Sequence, residues 1–331
     1  MASITTRLAV AIVLPAAVLL AAGCAANTAA ATGQHGRKGV AALPRPFTIT
    51  ARYSAKSLGL NHPAFLAIGP ENGDLYVTDL SQRVTVISPA GRVLRRWGGP
   101  GSGPGQFRFV PSDPTVPTDV HASLAISPRG DVYVSDGGNA RVQVFTPDGR
   151  FIRQFGSFGS GKGEFMGLWD LAVDRAGDVY VSDDSKGVLM KFSAAGKFAW
   201  QIGGGPMAAT DIDAHGRLVV VGGGDRKHAS LLRYIDSSGR TMDHFMPSTA
   251  GSPTGGECHA TVDAAGNTYV TGCGTDTGPT AVYDPAHRLI ARWPGTPYAL
   301  FRPPVFGPRG EVFALATDGS ILRLRITVPG A

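Results

Sequence analysis

One short segment recurs six times along this chain, and its repetition constrains the fold more than any single residue does. In its clearest copies it reads LAISPRGDVYVSD from Leu124 and LAVDRAGDVYVSD from Leu171. Each copy is centred on a glycine, and successive glycines are 39 to 57 residues apart. A period of this size indicates a repeat architecture in which each unit packs on its neighbours. The six central glycines are Gly73, Gly130, Gly177, Gly216, Gly266 and Gly310.

Each repeat contains the pattern of four short strands. The run after each central glycine alternates and is rich in Val, Tyr and Thr, which favours a half-buried strand, and the glycine permits the positive φ of a tight turn. A second hairpin follows in most copies, for example residues 142–145 and 151–155 around the turn TPDGR. Four antiparallel strands per repeat are typical of a propeller blade. We therefore predict an all-β, six-bladed β-propeller of four-stranded antiparallel blades.

The sixth repeat lacks a fourth strand, because the chain ends at Ala331 soon after a predicted strand over residues 321–326. The segment FTITARY, about residues 47–53, has strand composition and belongs to no other repeat. We expect it to pair with residues 321–326, since closing the ring removes two unpaired sheet edges.

Three motifs resemble those of the NHL-repeat β-propeller family. They are the GDVYVSD strand from Gly130, the NARVQVF strand from Asn139, and the loops GPGQF and GKGEF that end at Phe107 and Phe165. The resemblance covers about residues 46–326 and is strongest in the first three repeats. It implies a rigid platform that presents loops to a ligand. Asp79, Asp136 and Asp183 end the same strand in three repeats, and we expect them to bind turn amides or arginines.

The N-terminus has the pattern of a bacterial lipoprotein signal. Arg7 precedes an apolar stretch that ends in LAAGC at Cys24, which resembles a lipobox. We predict a signal peptide over residues 1–23, a lipidated Cys24 with a flexible tether over residues 24–45, and a propeller over residues 46–331. The protein would face the extracytoplasmic side of a bacterial cell membrane, held there by its lipid anchor.

The charge distribution argues against a nucleic-acid partner. The net charge is +6 and charged residues make up only 17% of the chain, without a clustered basic face. We expect a monomer whose partner is a protein, a peptide or a glycan.

Two further cysteines fall in the first hairpin of the fifth repeat. If Asp263 lies opposite Thr268, then Cys258 lies opposite Cys273, close enough for a disulfide. Export to an oxidising compartment favours this bond over two reduced, packed cysteines.

Polar residues that open the first strand of several repeats are the candidate site, because these strands line the central channel of a propeller. Among them His121, Asp170 and His259 could hold a metal, zinc or calcium, although these residues are not in equivalent registers. Single loop histidines without a shared metal are the alternative. The candidate rim residues are His62, His121, Trp169, Asp170, His259 and Arg302.

We predict a membrane-anchored binding or sensing propeller rather than an enzyme, with catalytic residues unassigned and no cofactor. The alternative is a metal-dependent lyase or lactonase with its metal in the channel. It draws on two propeller groups that the chain resembles in fold, the peptidyl-amidoglycolate lyases and the gluconolactonases. Their ligand sets do not map onto this chain residue by residue.

Overall fold

The computed structural model describes residues 43–109, 121–203, 207–222, 231–247, 259–271, 280–293 and 300–328. They form six four-stranded antiparallel sheets, and residues 42–331 make up one compact unit. The six-bladed all-β propeller that the repeats predict is therefore confirmed. Helix is confined, in these ranges, to α1 (Ala55–Leu58) and a 3-10 turn (Gly137–Asn139). None of the described helices is long and apolar enough to cross a membrane.

Blades one to three follow the chain, with the first strand innermost and the fourth outermost. Blade one consists of β2 (Pro63–Ile68), β3 (Leu75–Asp79), β4 (Arg83–Ile87) and β5 (Val93–Gly98). Blade two consists of β6 (Leu124–Ile126), β7 (Val132–Asp136), β8 (Arg141–Phe145) and β9 (Phe151–Phe155). Blade three consists of β10 (Leu168–Val173), β11 (Val179–Asp183), β12 (Val188–Phe192) and β13 (Phe198–Gly203).

Blades four and five repeat this order, and blade six takes its fourth strand from the N-terminus. Blade four consists of β14 (Met207–Ile212), β15 (Leu218–Gly222), β16 (Leu232–Ile235) and β17 (Thr241–Phe245). Blade five consists of β18 (His259–Val262), β19 (Thr268–Thr271), β20 (Thr280–Tyr283) and β21 (Leu289–Trp293). Blade six consists of β22 (Val305–Phe306), β23 (Val312–Leu315), β24 (Ile321–Ile326) and β1 (Phe47–Tyr53).

The predicted ring closure is confirmed. Strand β1 pairs antiparallel with β24 from Phe47 opposite Ile326 to Tyr53 opposite Ile321, with one irregularity between Ile49 and Ala51. Phe47 is fully buried, and its ring centroid lies 4.6 Å from that of Trp293 in blade five. The N-terminal strand thus completes the last sheet and also packs on the neighbouring blade.

The glycine-rich loops fill the gaps between blades with aromatic side chains. Phe107 and Phe165 are fully buried, and each ring lies 5.6 Å from a phenylalanine of a third strand, Phe145 and Phe192 respectively. A Cβ on Gly156 would lie 2.2 Å from the Phe165 ring. The glycine is therefore needed because the aromatic plug lies directly against the backbone.

The recurring aspartates are structural, as predicted. Asp79 accepts hydrogen bonds from the backbone N of Asn61 (2.9 Å) and Ser81 (3.0 Å). Asp136 accepts from Arg141 Nε at 2.8 Å. Asp183 accepts from the backbone N of Met166 and Gly167, at 2.7 and 3.0 Å. Each carboxylate ties a turn or a loop to the end of its strand.

The register assumed for the cysteine pair is wrong by one residue. In blade five Val262, not Asp263, lies opposite Thr268, and His259 lies opposite Thr271. The turn begins one residue earlier than predicted and has five residues instead of four, because Asp263 accepts hydrogen bonds from the backbone N of Ala265 and Asn267. Cys258 and Cys273 themselves lie outside the described residues, as does Cys24 with the signal peptide, so the disulfide and the lipid anchor stay predictions.

Candidate functional site

The inner strands bring residues from different blades to one mouth of the channel. Strands β2, β6, β10, β14 and β18 contact one another in order, and β22 contacts β2. Consecutive inner strands run in the same direction around the ring, so the residues that open them gather at the same end. These strand-opening positions are the ones from which the sequence predicts the candidate site.

A cavity of about 80 Å³ opens at this mouth. A cavity that holds a single water needs only ~10–15 Å³, so this cavity has room for a group of several atoms. Its polar lining comes from four blades, and its apolar wall includes Phe65 and Leu315. The polar side chains are those of Ser123, Asp170, His259, Thr261 and Arg302.

Arg302 and His259 form the basic side of this cavity. Arg302 Nη1 lies 2.9 Å from His259 Nδ1 and 3.2 Å from Nε2. The guanidinium carbon also lies 3.5 Å from the centroid of the Phe65 ring, a cation–π contact that fixes its position. Burial, together with the charge of Arg302, holds the pKa of His259 well below its usual value. The imidazole is therefore neutral and accepts a hydrogen bond from the arginine.

Asp170 and Ser123 form the acidic side. Ser123 Oγ donates a hydrogen bond to Asp170 Oδ1, which also accepts from the backbone N of Leu171 at 2.9 Å. Burial raises the pKa of Asp170, and the positive charge of Arg302 opposes that rise. Asp170 Oδ2 lies 4.0 Å from His259 Nδ1, too far for a hydrogen bond. The basic and acidic sides thus face each other across the cavity without a hydrogen bond between Asp170 and His259.

Asp211 in β14 is a second carboxyl group on an inner strand. Its Oδ2 accepts a hydrogen bond from the backbone N of Val262 in blade five, and Oδ1 accepts from Ile212 N, both at 2.8 Å. Burial raises the pKa of Asp211 to about 7, and the negative charges of Asp213 and Asp170 add to the rise. Asp211 therefore links two blades and gains or loses its proton near neutral pH.

His121 and Trp169 form a separate cluster beside the cavity. Their rings meet edge to face with centroids 4.9 Å apart. Burial raises the pKa of Asp184, and the nearby His121 opposes that rise. None of these three residues, His121, Trp169 and Asp184, lines the cavity.

The structure thus divides the predicted rim residues into three groups. Asp170, His259 and Arg302 meet in the cavity, His121 and Trp169 lie together beside it, and His62 is exposed with its Nδ1 2.9 Å from Asn61 Oδ1.

Asp211 and Thr261 were missed as channel residues, yet the repeat contains a signal for them. Both stand five residues before the central glycine, where Ala125 and Ala172 stand in blades two and three. The other four blades have an apolar residue at this position, so a polar side chain there stands out in the repeat.

The described part of the site does not fit a metal ion. Within the described ranges, no three His, Cys, Asp or Glu side chains come close enough together to hold one. His121 is separated from His259, and the guanidinium of Arg302 lies where a cation beside His259 would be repelled. The zinc or calcium prediction stays a prediction.

One family model matches this chain, that of DUF5128, which is described as a 6-bladed beta-propeller, over residues 125–203. That range corresponds to blades two and three, where the repeats are clearest.

Curated relatives match a similar share of the chain. Peptidylglycine alpha-amidating monooxygenase of Rattus norvegicus is 32% identical over 127 residues, which are 34% of this chain and 12% of the relative. The form B enzyme of Xenopus laevis is 32% identical over 99 residues, 28% of this chain and 10% of the relative. The chain therefore spans only about an eighth or less of the length of these proteins.

Solved structures share the fold at low identity. A catalytically inactive virginiamycin B lyase from Staphylococcus aureus, crystallised with quinupristin, has a TM-score of 0.53 at 12% identity and covers 80% of each chain. A streptogramin B lyase has a TM-score of 0.54 at 12% identity, covering 85% of this chain and 98% of the lyase. The family match, the solved structures and the strand order agree that this chain is a six-bladed β-propeller.

Proposed function

We propose that this protein is a ligand-binding propeller that holds the acidic end of a peptide in the mouth of its channel. One observation carries the proposal: polar side chains from four blades converge on one small cavity, with Arg302 and His259 on one side and Asp170 and Ser123 on the other. Pockets that bind small groups combine apolar walls with a few convergent polar side chains in this way.

The chemistry of the cavity favours a carboxylate beside an N–H group. A guanidinium matches a carboxylate with two parallel hydrogen bonds, and the Phe65 ring already holds Arg302 in place. Asp170 Oδ2, 4.0 Å from the imidazole, can accept from a neighbouring N–H donor. The carboxyl end of a peptide carries both groups within a few bonds.

The proposed cellular setting follows from the N-terminal signal. Lipidation at Cys24 would tether the ring to a membrane through residues 24–45 on the extracytoplasmic side, within reach of peptides, glycans and envelope proteins. The motifs of blades one to three support assignment to the NHL repeats within the propellers. Cleavage before Cys24, read by mass spectrometry of the protein from its native membrane, tests this setting.

Calorimetry with short peptides tests the binding proposal. We expect the full chain to bind a peptide with a free C-terminal carboxylate about tenfold or more tightly than the same peptide amidated. Arg302→Gln should abolish this preference, whereas Arg309→Gln, at an exposed turn of blade six, should keep it. Equal affinity for both peptides, or an unchanged preference in Arg302→Gln, would show that Arg302 in this cavity does not recognise the carboxylate of the peptide.

A lyase is the second candidate, because the chain resembles the peptidyl-amidoglycolate lyases in fold and is 32% identical to peptidylglycine alpha-amidating monooxygenase over 127 residues. A neutral His259 facing Asp170 is a pair that could move a proton during elimination. The full chain, purified without chelator, would be assayed for metal content and for cleavage of peptidyl-amidoglycolates beside a His121→Ala/His259→Ala variant. Turnover and metal that are both lost in the folded variant would favour the metal-dependent enzyme over the binding module.

A further inference from the structure

A second cavity lies between blades two and three, at the other end of the inner strands. Its volume is about 120 Å³, and it is bounded by the turn after β6, the turn after β10 and the loop after β12. Ala176, Gly177 and Ala194 form part of its wall, and their small size leaves the space open. Three arginines line it: Arg129, Arg153 and Arg175.

The arginines of this cavity differ from those of the other turns. Arg217 pairs with Asp213 at 2.7 Å in blade four, and Arg309 pairs with Glu311 at 2.9 Å in blade six. Across the described residues, Arg129, Arg153 and Arg175 make no ion pair within 4.0 Å. Asp131 is the one acidic residue in the lining, so the cavity has a net charge of +2, from three arginines and one aspartate.

Arg153 is held in place but not fully satisfied. Its Nη2 donates to Tyr133 Oη at 3.2 Å and to the carbonyl of Ala194 in blade three. Its guanidinium carbon lies 5.8 Å from the centroid of the Tyr133 ring. The Nε–H of Arg153 is buried and has no hydrogen-bond acceptor among the described residues. A buried donor without an acceptor costs free energy, so Arg153 is held in this position at the expense of one hydrogen bond.

We infer that this cavity is a binding site for a phosphate group. Arginine forks recognise the tetrahedral oxygens of phosphate, and here one guanidinium is fixed while two exposed ones, on neighbouring turns, can close over the ligand. The ligand is a phosphate monoester or phosphodiester, which could be part of a small molecule or of a lipid headgroup.

The phosphate site is independent of the channel mouth. Strand β10 connects the two sites, since it carries Asp170 and ends just before the turn that holds Arg175. Five residues of extended strand span roughly 16 Å. Substitutions at one site should therefore leave affinity at the other unchanged, because effects over such distances are normally additive.

A phosphorus-31 NMR titration of the full chain with inorganic phosphate at low salt tests the inference. We expect saturable binding that Arg129→Gln/Arg175→Gln weakens about tenfold or more. Both side chains are exposed, so the double variant should fold normally, which circular dichroism would check. The matched control is Arg309→Gln, since Arg309 and Arg129 both directly precede the central glycine of their repeats.

Absence of phosphate binding in the wild-type chain would overturn the inference, as would equal weakening in the double variant and in Arg309→Gln. Flotation with vesicles of phosphatidylglycerol, and of phosphatidylcholine as a comparison, then distinguishes the sources of the phosphate. Vesicle binding that is lost in the double variant and reversed by inorganic phosphate identifies a lipid headgroup. Phosphate binding without vesicle binding identifies a soluble phosphorylated ligand.

Discussion

At the scale of single residues, the channel mouth contains buried titratable groups, and neighbouring groups compensate their charge or their lost hydration. His259 is kept neutral by burial and by Arg302, and Asp170 is hydrogen-bonded by Ser123 and by the backbone N of Leu171. Asp211 stands where blades two and three have alanine, and its carboxyl oxygens accept hydrogen bonds from two backbone N–H groups. These charges make the channel mouth responsive to pH.

Asp211→Asn should flatten the pH dependence of stability. The folded carboxyl group keeps its proton up to about pH 7, whereas the unfolded one releases it near its ordinary pKa of about 4. The stabilisation is thus fully present below pH 4 and is lost as the pH rises through 7. Between pH 5 and pH 8 the change in the free energy of unfolding should shrink by about 1–3 kcal/mol in the variant, a range reduced for partial exposure.

Urea unfolding at pH 5 and pH 8 measures this effect. Asp148→Asn is the control, because Asp148 lies in an exposed turn and its hydrogen bond from Thr146 lowers its pKa. A variant at Asp211 that keeps the wild-type slope between the two pH values would show that this carboxyl group is ionised like an exposed one.

At the scale of elements, the fold depends on a strand borrowed from the N-terminus and on loops that insert aromatic rings between blades. Strand β1 was predictable because an incomplete sixth repeat needs a partner and FTITARY had none. The register of the blade-five hairpin was not predictable, because the same Asp and Gly residues fit a four-residue turn and a five-residue turn. Asp263 selects between them by binding two turn amides.

Phe47→Ala should destabilise the protein by about 3–4 kcal/mol, because the ring is fully buried against Trp293 and its removal leaves a cavity at the closure. Thr48→Ala, the exposed neighbour on the same strand, should change stability by less than about 0.5 kcal/mol. Chemical unfolding of both variants checks the pair. If both variants lost a similar amount of stability, the backbone hydrogen bonds of β1, and not the packing of Phe47, would hold this strand in place.

Gly156→Ala should cost about 1–3 kcal/mol more than Gly216→Ala. Both glycines have positive φ, +93° and +77°, so alanine pays a similar backbone strain at each. A Cβ at Gly156 meets the Phe165 ring at 2.2 Å, whereas a Cβ at Gly216 has no neighbour within 4 Å. Equal unfolding free energies in urea for the two variants would show that the loop moves aside without loss of packing.

At the scale of the whole molecule, the ring separates the two cavities, each a proposed binding site, at opposite ends of its inner strands. The repeats predicted the blade number, the closure and three of the residues that meet in the cavity. They could not predict that His121 would pack on Trp169 instead, because a bulge between Leu168 and Leu171 shifts the start of β10 by one residue. The direction in which a side chain points at the start of a strand depends on such bulges, and the amino-acid composition does not reveal them.

The most direct test of the channel-mouth site is an NMR titration of the His259 imidazole with and without the C-terminal-acid peptide. We predict that His259 in the free protein stays neutral well below its ordinary pKa of about 6.5, because burial and Arg302 disfavour the charged form. A bound carboxylate neutralises Arg302 and should raise the pKa of His259. An imidazole that titrates near 6.5 in the free protein, or whose pKa the saturating peptide does not move, would contradict the proposed site.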